Sequence, residues 1–279
     1  MNKKSVYIVD THVHVSREKE SLFYMPEEWI TGAMDKYGVD FCLVSDGDCT
    51  ECDHEQKIIE QAHLLTQEAA LLRDIEFAKN NRGRIGICVW IKPLTEGYTD
   101  ELENLIIKYR EYIYGIKIHP YHSNTAPDSE SVRPYLDMAS RLKLPVVSHT
   151  GAGDGSDSVS HLYRAAVMYP DVNFVMVHMG LGTDNSEALN VMGKASNLYG
   201  DTTWVPLNTT LKAIEMYGSG RIMFGSDMPI DGMDTYYYNG KGEPSMYRDY
   251  FEKLPQLISS EDYNNIMYKT ACKLFNISL

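Results

Sequence analysis

The chain has no run of 18 apolar residues, so no membrane-spanning helix is expected. Its start, "MNKKSVYIVD", is briefly basic but lacks the apolar centre and small-residue cleavage site of a secretory leader. Cysteine is scarce, with five in 279 residues. An odd, sparse set without a leader predicts reduced thiols and a cytoplasmic protein rather than a disulfide scaffold. Basic residues are in deficit, 26 against 39 acidic, and the net charge of -13 argues against nucleic acid as a partner. No G-x-G-x-x-G follows the first apolar run, which counts against a dinucleotide-binding fold. No linker, low-complexity stretch or internal repeat divides the chain. One domain over residues 1–279 is expected.

Short apolar runs are what the sequence has in quantity. They read "VYIVDTH" (6–12), "VDFCLVS" (39–45), "RIGICVWI" (84–91), "IYGIKIH" (113–119), "LPVVSH" (144–149), "VNFVMVH" (172–178), "SNLYGDTTW" (196–204) and "RIMFGSD" (221–227). Such β-branched and aromatic runs predict buried strands. Helical patterns lie between them. In "TDELENLIIKYREY" (99–112), Leu102, Leu105, Ile106 and Tyr109 recur at helical spacing behind Thr99 or Asp100 as a cap. A longer helix is predicted over about 55–80, with Ile58, Ala62, Leu65, Ala69 and Leu72 on one side. Others are predicted at 133–143, 161–169, 187–195, 210–218, 244–257 and 260–275. Eight alternations of strand and helix predict an α/β fold, a (β/α)8 TIM barrel, which typically takes about 250 residues.

In such barrels the chemistry sits at the C-terminal ends of the strands. Those ends carry His12 and His14, Lys117 and His119, His149, His178 and Asp227. Alternation along a strand puts Asp10, His12 and His14 on one face, where two neutral imidazoles can clamp a metal ion.

The spaced set "DTHVHV", "GIKIHP", "VVSHTG", "VMVHMG" and "FGSDMP" resembles the amidohydrolase superfamily, in the branch that includes aminocarboxymuconate semialdehyde decarboxylase and lactone hydrolases. The closing "YKTACKLFNI" is similar to that branch's last helix, with Thr270 where Asn is usual and Lys273 where Arg is usual. The resemblance implies one divalent ion, zinc first and manganese as the alternative, on His12, His14, His149 and Asp227. It implies that Asp227 accepts a proton from water activated by the metal. It places His178 above the metal as acid, base or polariser, and Lys117 toward the substrate. His119 and Arg17 are the substrate-binding candidates, Arg17 for a carboxylate. If Lys117 were carboxylated, it would instead bridge two ions, with His178 on the second.

The expected activity is hydrolysis of a lactone, ester or amide carbonyl in a small, carboxylate-bearing molecule. The alternative is non-oxidative decarboxylation of an aromatic or muconate-type acid. A decarboxylase of the resembled branch would show arginines reaching the carboxylate, and only Arg17 is well placed, which favours hydrolysis. The expected partner is a small molecule, with nucleic acid and membranes set aside and a homodimer left open. Two further features are weaker. "DCTEC" has Cys49 and Cys52 at C-x-x-C spacing, and a lone pair of this kind reads as part of a mobile acidic loop. "DGMDTYYYNGKG" (231–242) offers three adjacent tyrosines as a pocket wall, a rim or a subunit contact.

Overall fold

In the computed structural model, eight parallel strands run side by side in chain order, with helices in the connections. The structure describes residues 6–229 and 248–279. The units are β1 (Val9–Val15) and α1 (Glu27–Tyr37), β2 (Phe41–Asp46) and α2 (Gln67–Asn80), then β3 (Ile85–Trp90) and α3 (Asp100–Lys108). β4 (Ile113–Ile118) and α4 (Arg133–Leu142) follow, then β5 (Val146–Gly151) and α5 (Val159–Met168). β6 (Phe174–Leu181), α6 (Ser186–Met192), β7 (Leu198–Asp201), α7 (Leu207–Tyr217) and β8 (Ile222–Met223) complete the (β/α)8 barrel. Strands covered on both faces read as near-continuous apolar runs, which is why the eight segments are so legible. Their inward side chains, among them Val9, Phe41, Leu43, Val147, Val175 and Met223, pack with Phe275 and Ile277 from the chain's end. The larger apolar cluster lies between the sheet and the helices.

The barrel closes where the chain beyond β8 meets β1. Thr11 N donates to Phe224 O (3.0 Å), His14 N to Met228 O (2.8 Å) and Asp227 N to His12 O (2.9 Å). Along β1 the register with β2 slips between Asp10 and Val13, so simple alternation fails there. Asp10 does not join the histidines as a ligand. Its carboxylate accepts from His12 N (3.2 Å) and from Ser226 N (3.0 Å) and Oγ, tying β1 to the turn after β8.

Local structure departs from the sequence reading in four places. The helix expected from about residue 55 begins at Gln67, preceded by a single turn at Gln61–Leu64. Asp53 Oδ1 accepts from Glu55 N (2.8 Å) and Lys57 N (3.0 Å), and this local turn diverts the backbone from helix. Thr66 then caps α2, its Oγ1 accepting from Ala69 N (3.1 Å). Thr66→Ala is expected to cost about 1 kcal/mol in urea unfolding, and a change under a few tenths would show that the cap is idle. α1 lies outside every segment predicted helical, because its Thr31–Gly32 centre weakens the pattern carried by Ile30, Ala33 and Met34. The 260–275 segment is two helical pieces, Ser260–Asn264 and Thr270–Phe275, joined by a wide turn. The "DCTEC" stretch is packed rather than loose, with Cys49, Glu51 and Cys52 buried. Glu51 Oε1 accepts from Leu94 N (3.1 Å) and from Thr95 N (2.6 Å) and Oγ1 (2.8 Å), fastening the stretch to the loop after β3. All five cysteines are free thiols. No described helix is long and apolar enough to cross a membrane. The tyrosine-rich 231–242 segment lies outside the described residues.

Candidate active site

The strand ends deliver a compact cluster beside a cavity of about 520 Å³, a size usual for small-molecule sites. His12 Nε2 and His14 Nε2 face each other at 2.8 Å. Asp227 Oδ1 lies 3.1 Å from His14 Nε2 and 3.6 Å from His12 Nε2. Donors each about 2.0–2.1 Å from a tetrahedral ion sit about 3.3 Å apart, so these separations suit one shared ion. His12, His14 and Asp227 are a buried group able to hold a metal. Burial pushes both imidazoles below their usual range, and the facing Lys117 adds to this for His12. Neutral imidazole is the form that ligates. Burial alone would raise Asp227, but the hydrogen bond with His14 and the facing histidines hold it well below the usual carboxylate range. The donor set fits a divalent cation by type, charge state and spacing.

Trp204 Nε1 donates to Asp227 Oδ2 (2.9 Å), leaving Oδ1 to the histidines. Asp227 (φ 67°) and His178 (φ 68°) both hold left-handed backbone, a strained conformation that clusters at functional positions. His178 N donates to Asp201 Oδ1 (3.0 Å), and its Nδ1 donates to Thr203 O (3.2 Å). Nε2 of His178 is then the nitrogen with a lone pair. Burial keeps this ring neutral as well, pushing it well below its ordinary value. Asp201 Oδ2 also lies 3.6 Å from His12 Nδ1.

Lys117 stands apart from its expected place. It is fully buried, and its Nζ donates to His12 Nε2 (3.0 Å), so it addresses the donor cluster rather than the cavity lining. Burial pushes it down to about 8, against the pull of Asp227 and Asp201. His149 lines the cavity but is not one of the three convergent donors. It packs on His119 (centroids 4.3 Å, 15° between planes), which packs in turn on Trp90 (5.1 Å, 13°), and a flat three-ring wall results. His149 Nε2 lies 3.5 Å from Asp157 Oδ2, while its buried Nδ1 has no partner among the described residues. Asp157 reaches that position because residue 151 is glycine, since a Cβ there would collide with its carboxylate. Gly151→Ala is therefore expected to displace Asp157 and weaken metal uptake at least several-fold by titration. Unchanged uptake would show that Asp157 does not steady His149.

Arg17 is a correction. It lies outside the cavity lining, and Asp46 Oδ2 (3.0 Å), Asp74 Oδ1 (3.0 Å) and Glu27 Oε1 (2.7 Å) occupy its guanidinium. Asp46 and Asp74 are buried carboxylates that need a cation, and Arg17 supplies it. The cavity is also lined by Phe23, His54, Tyr121, His122 and Trp204, none of which the sequence reading singled out. His122 had a signal, three residues after His119 in "HPYH"; Asp201 had one too, at the end of β7. Phe23, His54 and Asp157 come from loops and had none.

With this geometry in hand, the family can be stated. The amidohydrolase family model matches residues 9–277, and the chain belongs to that family. Comparison with curated protein sequences found no match. Among solved structures, the chain resembles 5-carboxyvanillate decarboxylase from Sphingomonas paucimobilis, at 16% identity and TM-score 0.65 over 98% of this chain and 100% of that one. It resembles 2,6-dihydroxybenzoate decarboxylase from Rhizobium at 14% and 0.70, over 97% and 99%. A manganese-bound 5-carboxyvanillate decarboxylase from Novosphingobium aromaticivorans matches at 13% and 0.71, over 99% of each chain. At these identities the likeness is one of fold.

Proposed function

We propose that this chain is a metal-dependent, non-oxidative decarboxylase of a small aromatic acid. The observation that carries the reading is the cavity itself. It is walled by Phe23, Trp90, Tyr121, Trp204 and several histidines, it opens on the His12–His14–Asp227 cluster, and no Lys or Arg lines it among the described residues. A guanidinium on the departing carboxylate would stabilise the reactant more than the transition state, in which that charge moves away. Loss of CO₂ therefore does not require one, and the lack of an arginine in the described lining does not weigh against it. The decarboxylases among the fold neighbours support the same direction.

His12, His14 and Asp227 would hold the ion; His149, outside the three convergent donors but a ligand by the family resemblance, would be the fourth, and manganese ranks beside zinc because a fold neighbour carries it. When bound, the ion supplies positive charge that holds the substrate's oxygens and steadies the charge that develops as the carbon–carbon bond breaks. The flat wall of Trp90, His119 and His149 seats the ring. Asp227, oriented by Trp204, relays a proton to the carbon that loses CO₂, and His178 Nε2 is the second site able to hold it. The balance is one carboxylate and one proton consumed, one C–H bond and one CO₂ formed.

Hydrolysis is the second reading. The Lys117 ammonium beside the donor cluster favours it, being placed to steady an oxyanion. One assay separates them: the metal-loaded protein is offered hydroxybenzoic and muconate-type acids against lactones and amides, and CO₂ is read against proton release. CO₂ from an aromatic acid is the expected result. Turnover of lactones or amides alone would replace the lyase reading with the hydrolytic one.

A further inference from the structure

Beyond the metal cluster, the cavity is walled by Phe23, His54, Tyr121 and His122, which the steps above do not use. The rings pack on one another: His122 lies 5.7 Å from Phe23, 5.5 Å from His54 and 4.6 Å from His119, centroid to centroid. His122 belongs to the single helical turn Pro120–Ser123 that follows β4. Its ring is fastened from behind, with Nδ1 2.8 Å from the carbonyl oxygen of the buried Cys52. The backbone is held in the same place, since Cys52 N donates to His122 O (2.7 Å) and Glu51 N does so at 3.0 Å.

A carbonyl oxygen only accepts, so Nδ1 carries the proton and donates it. In a neutral imidazole the other nitrogen is then a lone pair with no hydrogen. Nε2 lies on the edge of the ring away from Cys52, in a residue that lines the cavity. Among the described residues, nothing donates to it. A lone pair held in an aromatic recess discriminates sharply. It favours an O–H and opposes a carboxylate or an ether oxygen, whose lone pairs it would meet. No cation in the described lining would offset a second carboxylate at this end.

We propose that His122 Nε2 is an acceptor subsite and that the substrate is a phenol, its hydroxyl seated at His122 away from the carboxylate it loses. The carboxylate end of this assignment rests on the lyase reading, whereas the hydroxyl end rests on the His122 geometry alone.

The test is binding to the metal-loaded protein, read by tryptophan fluorescence on rapid mixing, before turnover. The probes are ortho-, meta- and para-hydroxybenzoate, the three methoxybenzoates and benzoate. At least one hydroxy isomer is expected to bind about tenfold more tightly than benzoate and than its own methyl ether, the worth of one net hydrogen bond. His122→Phe is expected to erase that preference, and His122→Gln, which keeps an acceptor oxygen, to retain part of it. Circular dichroism checks that both variants fold. Equal binding of hydroxy and unsubstituted acids, no binding of any probe, or a preference that survives in His122→Phe would overturn the subsite. A His122-dependent preference without CO₂ release from any acid would uphold the subsite and remove the lyase reading. CO₂ release without such a preference would do the reverse.

Discussion

Asp227→Asn is expected to leave the barrel folded and to lower turnover by about 10²–10⁴-fold, the usual worth of a positioned proton-transfer group. The amide has the shape of the carboxylate, and its oxygen can still accept from Trp204 Nε1, so the turn after β8 keeps its local partner. What it loses is charge and basicity on the side facing His12 and His14. That side of Asp227 is where the histidines hold the carboxylate ionised against the pressure of burial. Retention of more than about a tenth of the wild-type rate would move the proton-transfer role elsewhere, with His178 the next residue to replace.

Removal of the metal is expected to abolish activity outright, and readdition of Mn²⁺ or Zn²⁺ to restore it at one ion per chain. Two imidazoles 2.8 Å apart with a carboxylate beside them form one locus rather than two. Lys117 decides the stoichiometry. Its Nζ lies 3.0 Å from His12 Nε2, and a bridge between two ions would require it to be carboxylated. Elemental analysis of the loaded protein, with mass spectrometry of the peptide that carries Lys117, reads both facts at once. Two ions per chain with a carboxylated Lys117 would make His178 a ligand. Full activity in protein shown to be metal-free would end the metal-dependent reading altogether.

The barrel was legible because a strand buried on both faces has little freedom of composition. The runs that end in His12, His149, His178 and Asp227 announce both a strand and what it carries. Side chains set by packing were harder to read. Arg17 follows the H-x-H so closely that a substrate role looked natural, yet two buried carboxylates far along the chain, Asp46 and Asp74, claim it. Asp10 shares the parity of His12 and His14, but an irregularity in β1 that no pattern reveals sends it to Ser226 instead. The loops hid most. Cys49 and Cys52 invited a reading by motif, whereas Glu51 between them determines the conformation by capturing the amides of Leu94 and Thr95. His122 was overlooked because strand-end logic stops at His119, and the next turn of helix brings a second imidazole to the same cavity.

The seam between β1 and the turn after β8 also bears on the order in which the molecule assembles. Asp10 and Ser226 are separated by 216 residues, and closing a loop of that length costs about 5 kcal/mol of chain entropy beyond a constant. Contacts so distant in sequence form late. The donor cluster straddles this seam, with His12 and His14 on one side and Asp227 on the other. A nascent or partly folded chain that lacks its last unit therefore presents the histidine donors without the Asp227 carboxylate. An ion that needed all three would stabilise only the finished barrel by mass action, and its capture would mark the closing of the circle of strands.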